Sequence, residues 1–228
     1  MQYGKVVEGI FSKKLNRFVA EVYINGELEE VHIKNTGRLK EILRPGATVA
    51  LETSNNPNRK TKYSIIAGLK GDVWINIDSQ IPNAVVHDAI LAGKVEAFQG
   101  LDHLKREAAY QGSRFDLFYS RENQPGFIEV KGVTLEQDGL AMFPDAPTVR
   151  GTKHVETLVE AVDEGYEATI FFVVQMKGCR AFTPNRTMDP AFYEALKHAS
   201  NEGVQLIAYD CLVTESTIQL DEKIPIIL

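Results

Sequence analysis

The chain has 228 residues, 44% hydrophobic and 25% charged, enough to bury one or two cores and unlike a disordered or low-complexity chain. Its net charge of −6 at pH 7 argues against a nucleic-acid partner only as an average, because binding depends on local patches. Two cysteines, Cys179 and Cys211, are too few for a disulfide framework or a Cys-based zinc site, and no apolar run reaches the roughly 18 to 20 residues of a membrane span.

The opening MQYGKVVEGI lacks the basic and apolar regions of a secretory signal, so a cytoplasmic protein with no membrane partner is expected. The runs KVVEGIFS, RFVAEVYI and LEEVHIK read as strands, the last two joined by Asn25-Gly26. Asn-Gly suits a type I′ hairpin, which needs positive φ at both central residues. A short helix is expected over about 38 to 43, stopped by Pro45 and Gly46, before the strands ATVALET, KYSIIAGLK and DVWINI. Strands interrupted by one short helix follow the order of a small OB-type barrel, assigned here to residues 1–80. Over those residues Lys and Arg number 12 against 9 Asp and Glu, whereas the remainder holds 13 against 22. The two halves are therefore read as two units with different jobs.

From about residue 84 the periodicity is helical, in NAVVHDAILAG and again in LDHLKREAAYQ. The strand runs SRFDLFYS and GFIEVKGVTL follow, then a helix over about 151 to 164, the apolar strand ATIFFVVQM, a helix over about 190 to 201 and the strand VQLIAYDCLV. This order predicts an α/β sandwich with a mixed sheet for residues 81–228, the IFFVV run at its centre.

Glu129 and Lys131 interrupt the apolar GFIEVKGVTL two residues apart, so on a strand they project from one face. If the two strand runs pair as a hairpin, Asp116 lies beside them. Two adjacent carboxylates among apolar residues need a counter-charge, and Mg²⁺ or Mn²⁺ would supply it through hard oxygen ligands. The expected ligands are Asp116, Glu129 and the carbonyl of Val130, with Glu107 approaching from the preceding helical segment. Lys131 would orient an attacking water and stabilise charge on a phosphoryl oxygen. A cross-strand salt bridge at a sheet edge is the plainer reading of the same triplet.

Arg150, Lys153 and His154 surround the start of the 151–164 helix, a position suited to phosphate. Gln175 closes the central strand near where Lys131 should lie. His87, His103 and His198 show no metal-ligand spacing. In the barrel half, Lys13, Lys14 and Arg17 flank the first turn, Arg38 and Lys40 lie on the short helix, and Arg59, Lys60 and Lys62 share one loop. Solvated loops are the plainer reading of these charge runs. If they converge, they would track a nucleic-acid backbone, with Phe18 and Tyr63 able to stack bases, although core packing is the plainer reading of both rings. Such binding would have little sequence preference and be steeply salt-dependent.

HIKNTGRL, PGATVALE, SRFDLFY, IEVKGVTL, FPDAPTVRGTKH and the terminal IPIIL resemble the sugar fermentation stimulation protein A family over essentially the whole chain. The resemblance implies an N-terminal OB-fold domain and a C-terminal PD-(D/E)XK, restriction-endonuclease-like α/β domain. It implies a DNA-binding protein without strong sequence preference that regulates sugar metabolism, notably that of maltose. By position, Asp116 matches the first Asp of the nuclease motif, Glu129 its acidic second member and Lys131 its lysine, while Glu107 matches an upstream helical Glu. Phe115 stands where the motif has Pro. An active Mg²⁺-dependent endo- or exonuclease is the alternative, and an oligomer remains compatible with either.

Overall fold

Asn25 and Gly26 both take positive φ, 52° and 86°, and so turn β2 (Val19–Ile24) back onto β3 (Glu27–Ile33). With β1 (Val6–Lys14), β4 (Thr48–Thr53) and β5 (Tyr63–Lys70) these strands run in the order β3-β2-β1-β4-β5, and the pairing of His32 with Ser64 and Ile33 with Ile65 closes the ring. The closed five-stranded barrel is the N-terminal OB fold, extended at β5 by β6 (Val73–Asn76). Inward residues such as Phe11, Val22, Val31, Leu51 and Ile65 fill it and are almost wholly buried. The expected helix at 38 to 43 does not form. Leu39 takes φ 51° and the segment closes as turns, its apolar Leu39 and Ile42 plugging the barrel instead. The computed structural model describes residues 1–228 throughout.

The second half is a six-stranded mixed sheet with helices on both faces, of the restriction-endonuclease-like kind. After α1 (Pro82–Leu91) come β7 (His103–Tyr110), β8 (Ser113–Arg121), β9 (Gln124–Val133), β10 (Leu135–Gln137) and β11 (Leu140–Phe143). Then follow α2 (Val149–Asp163), β12 (Glu167–Val174), β13 (Ala181–Pro184), α3 (Pro190–Asn201), β14 (Gln205–Val213) and β15 (Ile218–Lys223). The sheet order is β15-β14-β12-β9-β8-β7, with β12 parallel to both neighbours. Being apolar on both faces, β12 is buried along nearly its whole length, as a central strand must be. Val85, Val86, Ala89 and Ile90 of α1 cover one face together with Ala50, Ile66 and Ala67 of the barrel. Apolar residues of α2 and α3 cover the other.

Three features of this half depart from expectation. LDHLKREAAYQ is the edge strand β7, not a helix, so Glu107 reaches the site from a strand. Leu, Lys, Arg, Glu and Ala are good helix formers, but pairing with β8 from His103 to Tyr110 overrides that weak preference. A small second sheet, β10-β11-β13, and the last strand β15 are also additional to the sequence reading.

Candidate metal and nucleic-acid site

β8 and β9 are joined through Glu122 and Asn123, both at positive φ, and the register pairs Leu117 with Ile128. The same register sets Asp116 across from Glu129. On the other side, Arg106 pairs with Leu117 and Ala108 with Phe115, which sets Glu107 across from Asp116. Three acidic residues therefore stand in one row over three strands. The row is not regular sheet. Phe115 and Leu117 would share a face in an ideal strand, yet they pack in different cores, and Glu107 takes φ 58°. The alternation slips at Asp116, and irregularities of this kind re-aim side chains near sites.

Asp116 uses the slip. Its Oδ2 accepts the Val130 N–H at 2.8 Å in place of a ladder bond, and its Oδ1 accepts from Asn83 Nδ2 at 2.6 Å. Asn83 sits in the first turn of α1, placed there by Pro82, whose fixed φ suits a helix start. Burial, then the charge of Glu129, push the Asp116 carboxyl up to about 6, against the opposing pull of the Val130 N–H and Lys131.

Glu129 is 3% exposed. Its Oε1 accepts from Lys131 Nζ at 2.6 Å and is 2.5 Å from His154 Nδ1. Arg150 Nε lies 3.4 Å from the other ring nitrogen of His154, and a guanidinium can only donate. Nε2 is therefore the acceptor, and Nδ1 carries the proton given to Glu129. Burial opposes ionisation of Glu129, but the His154 hydrogen bond and the Lys131 ammonium outweigh it and hold the carboxyl below its usual range. Its second oxygen, Oε2, is buried without any partner. Glu129, Asp116, Glu107, Lys131 and Arg150 all line one cavity of about 360 Å³.

An orphaned carboxylate oxygen beside a second, desolvated carboxylate is a donor set that fits a hard divalent cation, since buried polar atoms ordinarily have partners. Val130 also lines the cavity, its N–H held by Asp116.

The structure gathers Asp116, Glu129, Val130, Lys131 and Glu107 at one cavity, with the Glu107 carboxylate on the outer rim 3.5 Å from Arg114. Gln175 is elsewhere: its Nε2 donates to Asn76 Oδ1 at 2.9 Å and to the Asp78 carbonyl at 3.2 Å, fastening the sheet to the barrel. Asn83 and Arg114 are site residues that sequence reasoning missed, although a polar residue one place after a helix-starting proline was a usable signal. His154 was read with the helix start, not as the partner of Glu129.

Among the barrel cations, Lys14 Nζ donates to the carbonyls of Arg38 at 2.8 Å and Gly37 at 3.4 Å, tying the first turn to the 37–38 loop. Lys13 lies 3.4 Å from Glu21, and Arg17 stands 5.5 Å from the Phe18 ring centre. Arg59 donates to Ser64 Oγ at 3.0 Å, Lys62 stands 5.0 Å from the Tyr63 ring centre, and Lys60 and Lys40 are exposed. Val19 pairs with His32 and His32 with Ser64, so the turn holding Arg17 and the loop holding Arg59, Lys60 and Lys62 leave the barrel at one end. None of them lines the cavity around Glu129.

Comparison with known proteins matches residues 80–217 to the sugar fermentation stimulation protein RE domain and residues 13–77 to the SfsA N-terminal OB domain. A sugar fermentation stimulation protein homolog from Alkaliphilus oremlandii is 54% identical, covering 99% of this chain and 98% of that protein. One from Clostridium botulinum is 51% identical, covering 97% and 96%. Among solved structures, the one titled as Pyrococcus furiosus SfsA in complex with Ca²⁺ superposes with a TM-score of 0.91 at 27% identity, covering 100% of this chain and 98% of the other.

Proposed function

This chain belongs to the sugar fermentation stimulation protein family, and within it we propose a DNA-binding protein with little sequence preference whose α/β domain carries a Mg²⁺ or Mn²⁺ site of the nuclease type. The regulatory role in sugar metabolism, maltose included, that the resemblance implies is part of this reading. The observation that carries the metal site is Glu129 Oε2, buried and unpartnered on a residue that lines the same cavity as Asp116. The relative of known structure is described as a Ca²⁺ complex, and Ca²⁺ and Mg²⁺ share a demand for oxygen ligands. DNA contact is supported by the basic loops at one end of the barrel and by Arg150 and Lys153 near the cavity.

Phosphodiester hydrolysis is the second reading, favoured by the position of Lys131 Nζ at 2.6 Å from Glu129 in the same cavity. A bound divalent ion would supply Lewis acidity to a phosphoryl oxygen. His154 and Lys131 hold the Glu129 carboxylate through Oε1 and leave Oε2 without a partner, whereas Asp116 is held at both oxygens, Oδ1 by Asn83 and Oδ2 by the Val130 N–H. The Lys131 ammonium is placed to orient water and to meet charge developing on the phosphate.

DNA affinity measured against salt tests the first reading, with a steep fall in affinity expected as salt rises; no binding even at low salt would end it. For the second, cleavage of single- and double-stranded DNA and RNA with Mg²⁺ or Mn²⁺ is compared with Lys131→Ala. Equal inactivity of both proteins on every substrate would remove its support.

A further inference from the structure

Beside the Glu129 cavity lies a second, open one of about 650 Å³. Arg114, Arg150 and His154 belong to the walls of both, so the two are continuous. The second adds Lys153, and the remainder of its wall is uncharged, from Ala109 to Ser113 at the β7–β8 turn. It holds no carboxylate. Arg150 and Lys153 form no salt bridge, and the partner of Arg114 is the exposed Glu107 at 3.5 Å. Behind the wall, Glu164 has both oxygens engaged, by Tyr110 Oη at 2.8 Å and Gln111 Nε2 at 2.5 Å. In contrast, Lys70, Lys131 and Lys177 are each held by a carboxylate.

Three cations without a buried acidic partner around one cavity, in the half of the chain where acids outnumber bases 22 to 13, form a local field opposite to that of the domain. The first turn of α2 is already partly satisfied, because Thr148 Oγ1 accepts the Gly151 N–H at 3.1 Å. The binding groups are side chains. Their spread over two elements suits successive phosphates of a polymer. Both cavities also have nucleotide dimensions, within the roughly 300 to 1,000 Å³ of small-ligand pockets. Glu129 is only 3% exposed, so a phosphate must enter the recess to meet it, which the flexible backbone of a separated strand does more readily than a stiff duplex.

We propose that this cavity binds the sugar–phosphate backbone of single-stranded nucleic acid adjoining the phosphate at the Glu129 site, through Arg114, Arg150 and Lys153. The inference rests on the DNA-binding reading and narrows it to strand form and path.

The test is fluorescence anisotropy of a labelled oligothymidylate and of a duplex of equal length, titrated in Ca²⁺ buffer at several salt concentrations. Wild type is expected to bind the single strand more tightly than the duplex. Arg114→Gln with Lys153→Gln is expected to weaken single-strand binding at least tenfold at low salt and to flatten the log–log salt slope by about 0.7 per lost contact. Lys153→Arg alone, which keeps the charge, should bind like the wild type, and Lys197→Gln on the exposed side of α3 should change nothing. Wild type that binds single strands while the double variant keeps both affinity and slope overturns this inference and leaves DNA binding standing. Preference for the duplex overturns it likewise. Wild type that binds neither form at low salt ends the DNA-binding reading, and this inference with it.

Discussion

Two places in the molecule set one lysine near two carboxylates, and they end differently. At the junction of barrel and sheet, Lys34 Nζ reaches Glu52 at 2.8 Å and Asp78 at 3.1 Å. Glu52 Oε1 also receives the Gly4 N–H at 3.2 Å, and Asp78 Oδ1 the Gln80 N–H at 3.0 Å. Every acid oxygen there has a partner. At the β8–β9 hairpin, Lys131 reaches Glu129 alone, Asp116 has no ammonium within salt-bridge distance, and Glu129 Oε2 has nothing. The difference is geometric: Lys34 enters between its acids, whereas Lys131 shares a strand face with Glu129 and is bonded to it alone. A third cluster, Asp210, Asp221 and Glu222, closes on Lys177 at 3.0, 2.5 and 2.9 Å, so a side chain fills the place of a cation. Residue types alone do not distinguish a saturated ion pair from an acid with an unfilled acceptor. Since Glu41 Oε1 is also buried without a partner, it is the second carboxylate beside Glu129, not the orphaned oxygen alone, that sets this site apart.

The saturated junction should break hardest. Lys34→Ala strands two carboxylates, one of them nearly fully buried, and is expected to cost about 3 kcal/mol in denaturant unfolding. A loss below 1 kcal/mol would show that the junction is not closed as described. The unsaturated site should respond in the opposite sense. Mn²⁺ at 100 times its dissociation constant is expected to stabilise the wild type by about 2.7 kcal/mol, read as a higher Tm. Asp116→Asn should abolish that gain, yet raise the Tm of the metal-free protein, because it removes a desolvated charge that faces Glu129.

His154→Gln keeps a hydrogen-bond donor but not the ring. It should weaken the Mn²⁺ response several-fold with a metal-free stability change of about 1 kcal/mol, since Lys131 still holds Glu129. An unchanged Mn²⁺ response would separate His154 from the site.

The smallest effect belongs to the pair that ties β5 to β10. Lys70 Nζ donates to Glu136 Oε2 at 2.6 Å, and this bond and the Gly139 N–H hold the Glu136 carboxyl below its ordinary value near 4.5. A carboxyl depressed on folding stabilises the folded state above that ordinary value, and the contribution is lost as pH falls through the lower folded value. The pair is partly exposed, so its share stays under about 1 kcal/mol. Lys70→Met should remove this acid-side loss of stability, measured as denaturant midpoints between pH 3 and 6.

Patterns that act within a few residues were legible in the chain. Asn25-Gly26 specifies its hairpin, the IFFVV run its central strand, and the helices at 149–163 and 190–201 follow from apolar spacing, with N-caps at Thr148 and Asp189. The hairpin of Asp116 with Glu129 was legible too, from two strand runs and a turn. LDHLKREAAYQ misled because its residues favour helix locally, while its true state depends on β8 being present to pair with it. The 38–43 segment misled similarly, its apolar residues being spent on plugging the barrel. Gln175 seemed aimed at the site because it ends a strand, but the partner that claims it, Asn76, is 99 positions away.

The sequence by itself determined the OB barrel, the mixed sheet behind it, and the identities of the acidic pair and its lysine, all through local periodicity, turn chemistry and motif. Tertiary structure decided which oxygens remain free. That outcome depends on Asn83 from α1, His154 from α2 and the slip at Asp116 meeting in one cavity. Hydrogen-bond saturation is a property of three-dimensional proximity, to which no spacing along the chain corresponds.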